Sequence, residues 1–201
     1  MILYLHGFRS SPQSTKARMM AAAMAERGLA HTWQCPQLPA SPAASAQLAL
    51  SLARDMIAQT PDAKPEHLTV IGSSLGGYYA NWLAEATGCR AVLLNPAVHA
   101  ARDLATQVGE HLSYYGNEPF VFLPSYVSEL TELTAPVTQP ERYFLLASTG
   151  DEVLDWREMT AHYTGCRQRI IPGSDHGISD FAHYLPEVLD FALSDGLHTP
   201  S

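Results

Sequence analysis

Three short stretches of this sequence carry residue types that could perform chemistry together: Gly72-Ser73-Ser74-Leu75-Gly76, Asp151 in TGDEVLDWRE, and His176 in PGSDHG. A serine hydroxyl is a weak nucleophile until a base takes its proton, and the base needs a third group to orient it. Only Ser74 has glycine two residues to either side. Centring the same frame on Ser73 would need glycine where Ile71 stands. The strand-like run HLTVI precedes the motif and a helical pattern follows it. That is the context in which a sharp strand-to-helix turn presents a serine hydroxyl above a sheet. A phosphate loop would need a lysine after Gly77, and a dinucleotide fingerprint would need glycine at position 74, so both readings fail.

Nine histidines compete for the role of base. His176 follows the last strand-like run and precedes the last helical one. His162 and His183 fall within helical patterns, and His6 follows the first strand. The chain order serine, acid, histidine then asks for an acid after the preceding strand, RYFLLA. Asp151 stands at that strand's C-terminal end, where the sites of doubly wound sheets gather. Asp155, with Glu158 three residues on, is accounted for as a helix N-cap. Asp175 reads as a turn residue. A developing oxyanion needs two donors, expected to be the backbone N–H groups of Leu75 and Phe8. Gly7, Gly72 and Gly76 give the backbone room for these approaches. His6 reads as a structural residue of the first loop; Arg9 reads as a solvated surface residue or, alternatively, as a contact for an acidic substrate group.

Positioning these groups requires an alternation of strands and helices, and the sequence has one. Strands are expected at Ile2 to Leu5, Thr32 to Cys35, His67 to Ile71, Ala91 to Leu94, Arg142 to Ala147 and Gln168 to Ile171. Helices are expected from Pro12 to just before Gly28 with Met20 and Met24 buried, from Ser45 to Gln59 with Leu48, Leu52 and Met56 as its stripe, from Leu75 to Ala86, from Asp155 to Tyr163, and from Phe181 to Ala192. The pattern argues for a mostly parallel, doubly wound α/β sheet of about six strands. Residues 97–140 are too long for an ordinary connection. This insertion before the fifth strand either packs on itself or caps a cleft. Its Tyr114, Tyr115, Phe120, Phe122 and Tyr126 favour an apolar cap wall.

Bulk properties bound the function. The 201 residues suit a single domain, 1–201, with 97–140 as its insertion. Twelve basic residues against 20 acidic ones give a net charge of −8, with no Lys/Arg cluster to bind nucleic acid and no basic amphipathic face for a membrane. No apolar run approaches a membrane span. Cys35, Cys89 and Cys166 match neither a disulfide framework nor a zinc spacing, so they read as buried thiols of a cytoplasmic protein.

With these residues in hand, the chain resembles the α/β-hydrolase superfamily and, more closely, the small YqiA-type esterases. The resemblance rests on YLHGFRSSPQSTKA, PQLP at 36–39, GSSLGGYYANWLAE, LNPAV at 94–98, TGDEVLDWRE and CRQ at 166–168, in order along almost the whole chain. It implies serine-dependent hydrolysis of carboxylic esters, including acyl-CoA thioesters, with Ser74, Asp151 and His176 as the triad and no metal or cofactor. Because the sequence starts at the HGF strand, a minimal version of that fold is expected. The reading is a serine esterase acting on a small-molecule acyl ester. Its alternatives are a thioesterase or acyltransferase using the same site, and a non-catalytic ligand-binding protein of the same fold.

Overall fold

The computed structural model describes residues 1–114 and 119–194. Six strands form one parallel sheet: β1 (Ile2–Leu5), β2 (Trp33–Gln34), β3 (Thr69–Ser73), β4 (Arg90–Leu94), β7 (Tyr143–Ser148) and β8 (Arg167–Ile171), in the spatial order β2-β1-β3-β4-β7-β8. The central strands β1, β3, β4 and β7 are buried along their whole length. Such a strand is covered on both faces, which is why each reads as a continuous apolar run rather than an alternating one.

Alternation instead separates two cores. Leu3, Leu5, Val70, Leu93 and Leu145 point to one face, where α2 (Pro42–Ala58), α3 (Leu75–Thr87) and α6 (Trp156–His162) pack. Ile2, Tyr4, Ile71, Val92 and Phe144 point to the other, covered by α1 (Thr15–Glu26) and α7 (Leu185–Leu193). The sheet is therefore doubly wound, as the βαβ rhythm predicts.

Three helix readings shift. The first helix begins at Thr15 rather than Pro12, because Ser11 Oγ accepts the Gln13 N–H at 3.1 Å and closes a turn first. The second begins at Pro42, capped by Ser41, whose Oγ accepts the Ala44 N–H at 3.1 Å. Its innermost stripe is Ala46, Ala49, Ala53 and Met56, while Leu48 and Leu52 lie at its half-buried margins. The small residues let this helix approach the sheet closely. The last helix breaks into a tight turn at Phe181–His183 and then α7, since Pro186 cannot donate to a helical bond.

The inserted segment contains α4 (Ala100–Leu104), an antiparallel hairpin of β5 (Gly109–Leu112) and β6 (Pro119–Phe122), and α5 (Pro124–Glu132). The hairpin has no counterpart in the sequence expectations. Tyr115 lies outside the described residues. Helix α5 is fastened to the body: Glu129 Oε2 accepts from Ser41 Oγ at 2.7 Å and from the Ala43 N–H at 2.9 Å, and Tyr78 Oη donates to Leu130 O at 2.7 Å. The hairpin is clasped by the loop after β1. Phe8 packs edge-on against Phe120, Phe122 and His111, and Arg9 Nε donates to Leu112 O at 2.8 Å with its guanidinium over the Tyr114 ring. Arg9 is thus half-buried and engaged with the hairpin.

Candidate active site

The C-terminal ends of β1, β3, β4, β7 and β8 converge on one side of the sheet, and each leads into a loop of the site. Ser74 follows β3 with φ 57° and ψ −121°, a conformation a non-glycine residue holds only under constraint, at a cost of order 1–3 kcal/mol. Its N–H donates to Leu94 O at 3.0 Å, and its carbonyl accepts from Gly77 N at 2.9 Å and Ala97 N at 3.0 Å. Glycine is required around it. A Cβ at Gly72 would sit 2.2 Å from Gly76 O, and one at Gly76 would sit 2.0 Å from Leu5 O.

The structure brings the three expected side chains together. Ser74 Oγ lies 3.0 Å from His176 Nε2, and His176 Nδ1 lies 2.8 Å from Asp151 Oδ2. With Nδ1 donating to the carboxylate, Nε2 is left as the acceptor for the serine proton. The Asp151 side chain is fully buried, and its Oδ1 accepts the N–H groups of Val153 and Leu154, both at 2.8 Å. These bonds fix the carboxylate's orientation before it meets the imidazole. Asp155 is elsewhere engaged, capping α6 through the Arg157 N–H at 2.9 Å. Asp175 shapes the turn by accepting the Ser179 N–H at 2.8 Å. Neither touches the imidazole.

Two residues of the site were not anticipated. Glu152 Oε2 accepts the backbone N–H of His176 at 3.0 Å. Asn95, fully buried and at φ 43°, joins three loop ends: its Nδ2 donates to Ser148 Oγ, Asp175 O and His176 O at 3.0–3.1 Å, and its Oδ1 accepts the Ser148 N–H at 2.8 Å. Its signal is a polar residue directly after the apolar run AVLL, at the site end of a strand.

His6 is buried. Its Nδ1 donates to Gly7 O at 3.0 Å while Nε2 accepts the Leu38 N–H at 3.0 Å, so it pins the first loop to PQLP as a neutral ring. Burial holds its pKa below the ordinary histidine value. A Cβ at Gly7 would lie 3.1 Å from Ser74 Cβ, so this loop runs against the serine. Leu75 opens α3, where its N–H has no intrahelical acceptor. A cavity of about 740 Å³ has Ser74, His176, Phe8 and Leu75 on its wall, with Leu104 and Tyr114 contributed by the inserted segment.

The free thiols are not nucleophiles of this site. Cys89 is buried and Cys35 and Cys166 half-buried, and burial pushes Cys35 up to about 12 and the other two to about 11. Among the described residues, no three His, Cys, Asp or Glu side chains are grouped to hold a metal, and no helix is long and apolar enough to cross a membrane.

A family model described as an uncharacterised protein family, UPF0227, matches residues 1–193. The chain belongs to this family. The YqiA-type resemblance read from the sequence falls within it. The UPF0227 chain is also similar to solved structures. One comes from LipS and LipT, two metagenome-derived lipolytic enzymes: 17% identity, TM-score 0.69, 95% of this chain and 92% of that one. Another is Est1E from Butyrivibrio proteoclasticus with ferulic acid bound: 14% identity, TM-score 0.68, 95% and 88%. A third is the mouse α/β hydrolase domain-containing protein 10: 17% identity, TM-score 0.64, 94% and 89%. At these identities the likeness establishes the fold, which is the α/β-hydrolase fold.

Proposed function

We propose that this UPF0227 protein is a serine hydrolase of small carboxylic esters, built as one domain with residues 97–140 as its cap. The observation that carries the reading is the continuous relay Ser74 Oγ to His176 Nε2 at 3.0 Å and His176 Nδ1 to Asp151 at 2.8 Å, mounted on a strained strand-to-helix turn. In this reading Ser74 attacks the ester carbonyl as His176 takes its proton. Asp151 holds the tautomer and stabilises the imidazolium. The N–H groups of Phe8 and Leu75 receive the oxyanion, the latter aided by the positive end of α3. His176 returns the proton to the leaving alcohol, and water repeats the sequence on the acyl-enzyme.

The lipolytic activity named for LipS and LipT and the ferulic acid bound to Est1E support an ester as substrate. A thioester would be cleaved by the same steps, as only the leaving atom changes. The unpaired thiols support a cytoplasmic location. The test is turnover of 4-nitrophenyl butyrate by the wild type, Ser74→Ala and Ser73→Ala. Loss of the nucleophile is expected to cost on the order of 10⁶ in kcat. Ser73, at the end of β3, is expected to be dispensable for chemistry. Full activity in Ser74→Ala would place the nucleophile elsewhere, and absence of turnover in the wild type would leave a non-catalytic binding protein as the better reading.

A further inference from the structure

The cavity over Ser74 has a cationic end that the hydrolytic steps do not use. Helix α1, twelve residues long, directs its N-terminus at this cavity: Ser14, Thr15 and Lys16 all stand on the wall. The first turn carries no acidic residue, and the N-cap Ser14 makes no capping bond. Ser14 is 9% exposed, and its Oγ has no hydrogen-bond partner among the described residues. A buried hydroxyl without a partner costs about 1–3 kcal/mol, which leaves a donor awaiting an acceptor.

Lys16 stands beside it. Its ammonium donates to the carbonyl of Gly177, the residue after His176, so the cation is held close to the base. Among the described residues no carboxylate lies within ion-pair distance of it. The two nearby acids are committed elsewhere: Asp151 to His176, Val153 and Leu154, and Asp175 to the Ser179 N–H. Burial lowers the Lys16 pKa to about 8, although Asp175 and Asp151 act to raise it. A half-buried cation with one neutral carbonyl partner carries a desolvation cost that this single acceptor offsets only in part. Arg9 adds a second positive group to the same wall. Asp103, the carboxylate on it, belongs to the inserted segment and is paired with Arg102 through Oδ1 at 2.8 Å.

We propose that the α1 end of the cavity is an anion-binding subsite in which Lys16, Ser14 and the first N–H groups of α1 hold a carboxylate or phosphate on the leaving group of the ester. The side follows from position: the leaving oxygen must meet His176 Nε2 to be protonated, and Lys16 is anchored to the residue beside that imidazole. Helix N-termini favour such anions through free N–H groups and the positive dipole end. The proposal rests on the hydrolase reading and names its substrate class: acyl esters whose alcohol or thiol part is acidic.

The test compares phenyl butyrate, 3-carboxyphenyl butyrate and 3-phosphonophenyl butyrate with the wild type, Lys16→Met, Lys16→Arg and Ser74→Ala. The readout is kcat/KM for each anionic ester divided by that for phenyl butyrate. Comparing this ratio between variants cancels the intrinsic reactivity of each ester. It also cancels any general effect on the histidine loop. Lys16→Met is expected to lower the ratio at least about tenfold, the scale of one charge-assisted hydrogen bond, and Lys16→Arg to recover most of it. Whichever anion shows the effect identifies the group recognised. Urea denaturation of Lys16→Met is expected to give an unchanged or higher midpoint.

A Lys16→Met ratio equal to the wild type's for both anions overturns the proposal. A lower midpoint with an equal loss on all three esters does so too, because Lys16 would then be a clamp on the loop. The hydrolase reading is judged separately, on phenyl butyrate alone. Wild-type turnover abolished in Ser74→Ala upholds it whatever the ratio. Absence of turnover on all three esters refutes both.

Discussion

Replacing Asn95 by alanine probes the least obvious support of the site. The buried Ser148 N–H loses its acceptor, the Asn95 Oδ1 at 2.8 Å, which costs about 1–3 kcal/mol as an unsatisfied donor. Position 95 has φ 43°, a region asparagine occupies more readily than alanine and glycine more readily than either. The Nδ2 bonds to Ser148 Oγ, Asp175 O and His176 O also go, although water entering the void can replace part of them. The expected loss is about 3–5 kcal/mol in urea denaturation. Asn95→Gly removes the same bonds but tolerates φ 43°, so it is expected to lie about 1 kcal/mol above Asn95→Ala. Because Asn95 holds the His176 carbonyl, kcat on 4-nitrophenyl butyrate is also expected to fall by about 10²-fold, the scale of a 1 Å misplacement. A loss of stability under 1 kcal/mol, or a folded variant with wild-type kcat, would refute the view that Asn95 joins the strand ends and positions the base.

Asp151→Asn is expected to lower kcat by about 10⁴, whereas Asp155→Asn leaves it within a few-fold and costs at most about 1 kcal/mol of helix capping; steady-state kinetics and thermal melts of the pair check this. Gly76→Ala would place a Cβ 2.0 Å from Leu5 O, a backbone atom with nowhere to move, so it is expected to fail to give folded protein by circular dichroism. His6 and His162 have folded pKa values held below the ordinary value, chiefly by burial. Between the folded and unfolded pKa values the unfolded chain therefore binds more protons, so this contribution to stability is full above about pH 6.5 and is lost as pH falls from there through the lower folded values. Urea midpoints measured from pH 8 to pH 5 are expected to decline in that range, with a smaller decline in His6→Gln.

Much of this arrangement is legible without coordinates, for physical reasons. Strands buried on both faces announce themselves as apolar runs, so AVLL and RYFLLA stand out, and the turn at Ser74 is marked by glycines that close packing demands. Asp155 was separable from Asp151 because a cap has its own spacing. The misses have equally local causes. The hairpin of β5 and β6 pairs segments of only four residues each, too short to show alternation, and its partner contacts come from Phe8, far away in sequence. Ser11-Pro12 carries the signature of a helix start, but Ser11 Oγ closes a turn with the Gln13 N–H instead, and α1 begins at Thr15. Leucine spacing marks Leu48 and Leu52 as the stripe of α2, but close approach to the sheet selects its alanines. Asn95 was hidden since a single polar residue after a strand says nothing of what it will touch.

Reaction with a fluorophosphonate, followed by peptide mapping in a mass spectrometer, distinguishes Ser74 from every other candidate nucleophile. The reagent phosphonylates a serine only where a base is aligned to take its proton. A single adduct is expected on Ser74, absent from Ser74→Ala, strongly slowed in His176→Ala, and retained in Ser73→Ala. An adduct on Ser73, or labelling that persists undiminished in Ser74→Ala, would contradict it.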